Sequence, residues 1–217
     1  GISRRLVDFC NSIIGNIRGG MGYAMVLACA FFAALSGSAP ATVLAIGGML
    51  YPDMVRLGYP KERCAGLLTV SGGLGPIIPP SIIMVVYCTI TNSSVGYMYK
   101  GGILAGLMIS IVGVLICIYY YNKEKWPKIT ERTSIIQLAK HFIHALPALF
   151  LPFVILGGIY SGLMTPTESA AVAVIYSFIV SVFVYRELHP RDIYRIILAS
   201  GKSSDMILFI IDTSTSF

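Results

Sequence analysis

Two short stretches hold the residue types best suited to chemistry. Residues 36–42 read SGSAPAT and residues 71–81 read SGGLGPIIPPS. The first supplies hydroxyls from Ser36, Ser38 and Thr42 around Gly37, with Pro40 near the start of the outgoing segment. The second supplies hydroxyls from Ser71 and Ser81 beside Gly72, Gly73 and Gly75. Its three prolines, Pro76, Pro79 and Pro80, stop any helix from continuing. Where helical geometry is lost, backbone carbonyls join these hydroxyls as hard, neutral oxygen donors. No carboxylate accompanies them, so a monovalent cation such as sodium fits better than calcium or zinc.

The elements around these stretches are apolar. Met21–Leu35 (MGYAMVLACAFFAAL) precedes the first break, and the second lies inside the apolar run 64–90. Over all 217 residues, 56% are hydrophobic, 12% are charged and the mean hydropathy is +0.78. Soluble domains carry about 25% charged residues, so the chain reads as an all-α polytopic membrane protein. Lipid cannot satisfy freed backbone groups, and such breaks survive only when buried in protein or lining a wet cavity. Half-helix N-termini there present positive dipole ends, and unwound carbonyls accept cations. Gly and Pro also serve simply to kink packed helices. Two breaks in consecutive segments, each rich in Gly, Pro and hydroxyls, favour an ion and substrate site.

Residues 1–19 hold an amphipathic stretch (RRLVDFCNSIIGNIR, 4–18) suited to an interfacial arm helix. Residues 51–121 comprise a charged loop, the broken helix, an uncharged loop at 91–99 and an uninterrupted span over 101–121. Residues 122–145 form a charged linker and an amphipathic segment, and residues 146–217 begin a second repeat. Lys123, Lys125, Lys128 and Arg132 place loop 122–132 in the cytoplasm, which puts loop 91–99 outside. Loop 52–63, with Arg56, Lys61 and Arg63, then falls in the cytoplasm, as do Arg4, Arg5 and Arg18. Both ends of residues 20–50 thus lie on one side, and the segment reads as a re-entrant hairpin with SGSAP at its tip. The net charge of +6 is accounted for by cytoplasmic loops and does not call for nucleic acid. The chain begins at Gly1 and stops at Phe217 within an apolar run, so it reads as a piece of a longer protein.

GISRRLVDF, SGSAPATVLAIG, GGLGPIIPPSI and GGIYSGLMTPTESAAVAV, in that order, resemble the large membrane subunit of a TRAP (tripartite ATP-independent periplasmic) transporter. The resemblance covers nearly the whole chain. It implies an ion-transporter-superfamily elevator fold and sodium-coupled import of an organic acid, such as sialic acid or a C4-dicarboxylate. It also implies a periplasmic substrate-binding protein, a small membrane subunit and a multi-pass location in the bacterial inner membrane. Ser36, Gly37 and Ser38 correspond to the family's first hairpin tip. Gly72, Gly73, Gly75, Pro79, Pro80 and Ser81 correspond to the unwound part of the following helix. The implied sodium ligands are Ser36, Gly37, Ser38, Gly72, Gly73, Gly75 and Pro79, and the implied substrate contacts are Ser38, Thr42, Pro80 and Ser81. The family's second, inverted half has its own hairpin and broken helix, which this chain lacks. A second sodium site and half of the substrate site are expected there.

Other residues carry less. The five cysteines form no CxxC pair and read as small buried hydrophobes. His141, His144 and His189 are scattered. Thr165, Pro166 and Glu168 have the spacing of a helix start, which favours Glu168 as a capping-box acid over a functional intramembrane acid. Asp212, within an apolar run, is open between a functional and a structural part. No HExxH, GxSxG or convergent acid pair is present, so the chain does not read as an enzyme. An ion channel with a re-entrant selectivity hairpin is the competing class. Two unlike breaks in one chain argue against the repeated filter of a channel.

Overall fold

The computed structural model describes residues 2–14, 17–124, 126–127 and 134–215. Lys125, Lys128 and Arg132, used above for orientation, lie outside the described residues, as do Gly1, Gly15, Asn16 and Phe217. The described chain is helical, without β-strands, and divides into two compact units, residues 1–174 and 175–217.

In the first unit, α1 (Ile2–Ile14) buries Leu6, Val7, Phe9 and Cys10 along one stripe. That face packs on α2 (Gly20–Ser36) and α7 (Ile135–Tyr160). Phe9 bridges the two, with ring centroids 6.4 Å from Phe31 and 5.5 Å from Phe142. The arm is therefore covered by protein on its apolar side. α3 (Ala39–Arg56) follows α2 after two residues. It runs further into the charged stretch than composition suggests, and only residues 57–60 separate it from α4 (Lys61–Gly72). α4 stops where Gly73, Pro76, Pro79 and Pro80 accumulate, and α5 (Ile82–Thr91) restarts on Ser81, whose hydroxyl accepts from Met84 N–H.

α6 (Val95–Glu124) is thirty residues long and starts earlier than the expected span, leaving a short connection after α5. Glycines set its packing. A Cβ at Gly102 would sit 2.6 Å from the Ile77 carbonyl, one at Gly106 would sit 2.5 Å from Ile78, and one at Gly113 would sit 3.3 Å from Val26. α6 thus lies against the second break and against α2 through a face of small residues. Its other face exposes Leu104, Leu107, Met108 and Ile111.

The amphipathic and apolar stretches 135–163 form one continuous helix, α7, despite Pro147 and Pro152. α8 (Pro166–Ile179) begins on the expected capping box. Thr165 N–H donates to Glu168 Oε2 at 2.7 Å, and Glu168 N–H donates back to Thr165 Oγ1 at 3.3 Å. In the second unit α8 passes into a π-helical turn (Val180–Val184), and α9 (Pro190–Thr215) follows a cap in which His189 N–H donates to Asp192 at 3.3 Å.

Among the described residues, three helical stretches are long and apolar enough to cross a membrane: Val95–Glu124, Ile135–Tyr160 and Pro166–Val184. α2, with seventeen residues, and α5, with ten, are apolar but shorter. At 1.5 Å per residue, α2 reaches about 25 Å against a hydrocarbon core of about 30 Å.

Candidate ion and substrate site

The first break is a two-residue joint. Gly37 ends α2 with φ +60° and its N–H donates to the Ala33 carbonyl at 2.9 Å. Ser38 is extended (φ −137°, ψ 126°) and precedes the first turn of α3, which holds Pro40. Its hydroxyl makes no capping hydrogen bond. Its carbonyl instead is the hub of a small network. Thr42 N–H donates to it at 3.1 Å, the Thr42 hydroxyl at 2.8 Å and the Ser36 hydroxyl at 3.3 Å. Ser36 Oγ and Thr42 Oγ1 are 3.1 Å apart, and Ser38 N–H donates to Ser36 Oγ at 3.3 Å. Three hydroxyl-bearing residues thus converge around one carbonyl, with Thr42 fully buried.

The second break wraps against this joint. A Cβ on Gly37 would lie 2.8 Å from the Pro80 carbonyl oxygen and 3.3 Å from Ser81 Cα and Ile82 N. A Cβ on Gly75 would lie 2.5 Å from the carbonyl carbon and oxygen of Ser38. Gly72 meets the Val43 side chain in the first turns of α3. The backbones of the two breaks are therefore in direct contact, at a distance only glycine permits. Pro79 is fully buried, and the Pro79–Pro80 peptide is cis. Ser81 is buried with its hydroxyl donating to the Pro76 carbonyl at 2.7 Å, which closes the loop between α4 and α5.

Of the residues expected from sequence, Ser36, Gly37, Ser38, Thr42, Gly72, Gly75, Pro80 and Ser81 are brought together. A Cβ on Gly73, which ends α4, would instead lie 3.2 Å from the Val70 carbonyl of its own helix. Ser71, named for its hydroxyl but left out of the ligand set, is buried and its Oγ has no hydrogen-bond partner. It is a buried hydroxyl at the start of the second break that no other described group pairs. Among the described residues there is no group of three His, Cys, Asp or Glu side chains able to hold a metal. The converging donors are all neutral oxygens, in a cradle that a single Cβ would fill. That set fits sodium in hardness and charge.

A cavity of about 610 Å³ adjoins the joint. Ser36, Pro80 and Ser81 line one part of it, and Val85, Tyr99, Ile155, Ala170 and Val174 are among the residues lining the rest. Tyr99 and the α8 residues carried no sequence signal, since nothing in their spacing separates a cavity wall from a lipid-facing side.

The far ends of the hairpin meet at a different cluster. Trp126, the chain's one tryptophan, is buried. It lies 5.2 Å from the Tyr59 ring and stacks on Tyr120 at 6.2 Å with 10° between planes. Its indole N–H donates to Glu124 at 3.0 Å, and Arg63 donates to the same carboxylate at 3.1 Å while covering Tyr120 at 4.2 Å. Gly19 N–H and the Tyr59 hydroxyl both donate to the Pro127 carbonyl, at 3.3 and 3.2 Å. Burial pushes the Tyr59 phenol up to about 12, so it stays a donor at neutral pH. The start of α2 and the residues after α3 are thereby clasped together at the end of α6.

Comparison with known proteins follows this geometry. A family model described as "Tripartite ATP-independent periplasmic transporter, DctM component" matches residues 1–217. A C4-dicarboxylate TRAP transporter large permease protein from Pseudomonas aeruginosa is 45% identical over 217 residues, covering 100% of this chain and 51% of the relative. An isethionate TRAP transporter permease protein from Oleidesulfovibrio alaskensis is 38% identical, over 100% of this chain and 34% of the relative. A sialic acid TRAP transporter permease protein from Haemophilus influenzae is 33% identical, over 100% and 35% respectively. The chain spans about half the length of the large permease proteins it matches.

Proposed function

The chain belongs to the family of DctM components of tripartite ATP-independent periplasmic transporters, and on that premise we propose that it supplies one hairpin and one broken helix of a sodium-coupled permease that imports an organic acid. The observation carrying this reading is the backbone contact between the two breaks, Gly37 on Pro80–Ile82 and Gly75 on Ser38. Packing two kinked helices does not require their unwound parts to meet. Assembling neutral oxygens around a cation does.

Ser36, Thr42 and the Ser38 carbonyl would hold sodium on the hairpin side, with backbone groups of Gly72, Gly75, Pro79 and Pro80 on the other. When bound, the ion supplies the positive charge that these neutral residues lack. An organic anion is then attracted to the Ser38, Thr42, Pro80 and Ser81 side of the joint. The carbonyl of Ser38 accepts hydrogen bonds from Thr42 N–H and from the Thr42 and Ser36 hydroxyls, so a bound cation would require those two hydroxyls to turn their hydrogens away, which would link ion binding to the shape of the tip.

The clasp at Trp126 joins both ends of the hairpin to α6, which supports a re-entrant hairpin and its motion as one body with α4–α6. We place that body in the bacterial inner membrane as the moving part of an elevator. A periplasmic binding protein delivers the anion and a small membrane subunit braces the static part. The relatives' names span a C4-dicarboxylate, isethionate and sialic acid. The shared chemistry is an organic acid.

Reconstitution of the permease that carries this chain, with its partners, tests the reading. Saturable uptake that requires a sodium gradient is expected. An unsaturable ion current would point to a channel instead.

A further inference from the structure

We propose that Tyr99 is a substrate-binding residue of the permease: its phenol donates a hydrogen bond to an acid group of the transported anion, beside the N–H groups that open α5. It rests on the organic-acid reading above and names a side chain that meets the acid. The cavity of about 610 Å³ beside the joint has the volume of a ligand site, about 300–1,000 Å³. None of its lining residues is charged, so an anion entering it must be met by neutral donors. Four lining side chains carry a hydroxyl: Ser36, Ser81, Tyr99 and Thr167. The Ser36 hydroxyl is spent on the Ser38 carbonyl at 3.3 Å, and the Ser81 hydroxyl on the Pro76 carbonyl at 2.7 Å. Thr167 is exposed at the start of α8.

Tyr99 differs from all three. Its phenol oxygen accepts a hydrogen bond from the backbone of Ser81, at the edge of the second break. That bond leaves the phenol's own hydrogen unspent, and among the described residues no group accepts it. Buried polar groups are nearly always paired. Tyr99 is only 2% exposed, so this chain already encloses it, and what reaches the phenol does so through the cavity. α6 fixes its place: Gly102, three residues on, packs against the Ile77 carbonyl and pins the helix to the second break. α5 begins on the same wall, where Pro80, Ser81 and Ile82 line the cavity. Met84 N–H is taken by Ser81 Oγ at 3.4 Å, but the first-turn N–H groups of Ile82 and Ile83 have no partner within the helix. The positive end of α5 and the phenol therefore offer convergent, uncharged donors to one acid group.

The test measures binding of radiolabelled succinate, isethionate and sialic acid to the purified whole permease in sodium buffer. The rise in melting temperature that sodium causes is followed alongside. For the acid that the wild type binds, Tyr99→Phe keeps the ring, removes the hydroxyl and should raise Kd about ten- to a hundredfold, the worth of a hydrogen bond to a charged group. The sodium-dependent rise should be retained. A fluorotyrosine in place of Tyr99, which keeps the donor, should restore binding. Tyr97→Phe, on the same helix but outside the cavity, should bind as the wild type does. Unchanged acid binding in Tyr99→Phe would overturn the proposal and leave the ion site standing. Loss of the sodium-dependent rise together with acid binding would mean that Tyr99 only holds the second break in shape, and would overturn direct contact. A wild type that binds none of the three acids would reject the organic-acid reading on which the proposal stands.

Discussion

At two positions a single added methyl group would meet the backbone of the other break. Gly37 has φ +60°, where an L-residue pays about 1–2 kcal/mol, and its Cβ would press on the Pro80 carbonyl. Gly75 has an ordinary φ, but its Cβ would sit within the Ser38 peptide. Gly37→Ala and Gly75→Ala should each push the breaks apart and abolish or strongly weaken sodium-dependent uptake in inserted protein. Gly48→Ala and Gly66→Ala, at exposed helix positions with nothing within 4 Å, should transport normally. Equal behaviour of all four in a sodium titration would remove the joint's functional meaning. The hydroxyls make a second, graded series. Ser38→Ala keeps the carbonyl at the hub, so its effect should be small, whereas Thr42→Val removes two hydroxyl interactions and should raise the sodium needed for half-maximal uptake. Loss of one oxygen facing a cation resembles a charged hydrogen bond, worth about 1.5–3 kcal/mol, or on the order of ten- to a hundredfold. Ser71→Ala discriminates ligation from packing. Its unpartnered hydroxyl gains nothing from the protein, so removal should leave folding unharmed, and any rise in sodium requirement would assign it to the ion.

At the scale of elements, the hairpin depends on its clasped ends. Single cysteines replacing Arg18 and Asp53 in an otherwise thiol-free protein should both react from the cytoplasmic side and neither from outside. Labelling from opposite sides would make α2 and α3 something other than a re-entrant pair. Trp126→Ala leaves a void between Tyr59, Tyr120 and Gly22 and should cost about 3–5 kcal/mol, the usual range for a buried Trp. Thermal unfolding in detergent would register that, while Tyr59→Phe, which loses one hydrogen bond, should shift the midpoint far less. These features differ in how far sequence exposes them. SGSAP and GGLGPIIPPS were visible as breaks because Pro and Gly act locally. The Thr165–Glu168 cap was visible because its partners are three residues apart. That the breaks touch was expected only through the resemblance and the charge pattern, and Gly75 against Ser38 is a long-range contact that no spacing encodes. The Trp126 clasp was invisible for the same reason, since its parts come from residues 19, 59, 63, 120 and 124. The limits of α3, α6 and α7 ran past composition because helical hydrogen bonds continue through charged or proline-bearing turns when neighbouring helices pack on them.

On the proposed reading, the question at the scale of the whole molecule is what drives an organic anion inward. An inside-negative membrane opposes each negative charge by about 2.3 kcal/mol per 100 mV. On the sodium-coupled reading, each ion imported with the substrate would cancel one charge electrically and add the free energy of its own gradient. A site of neutral oxygens would suit this role, because it adds no negative charge that would repel the anion. Uptake by the reconstituted permease should therefore continue in vesicles without ATP and stop when the sodium gradient is collapsed. Replacing sodium by potassium at equal ionic strength should also stop it, since the driving gradient is then absent. The response to an imposed potential then counts ions: an inside-negative step accelerates uptake only if sodium charges outnumber those of the substrate. Full uptake in sodium-free medium would show that the joint between the two breaks serves packing alone and that the driving ion enters elsewhere.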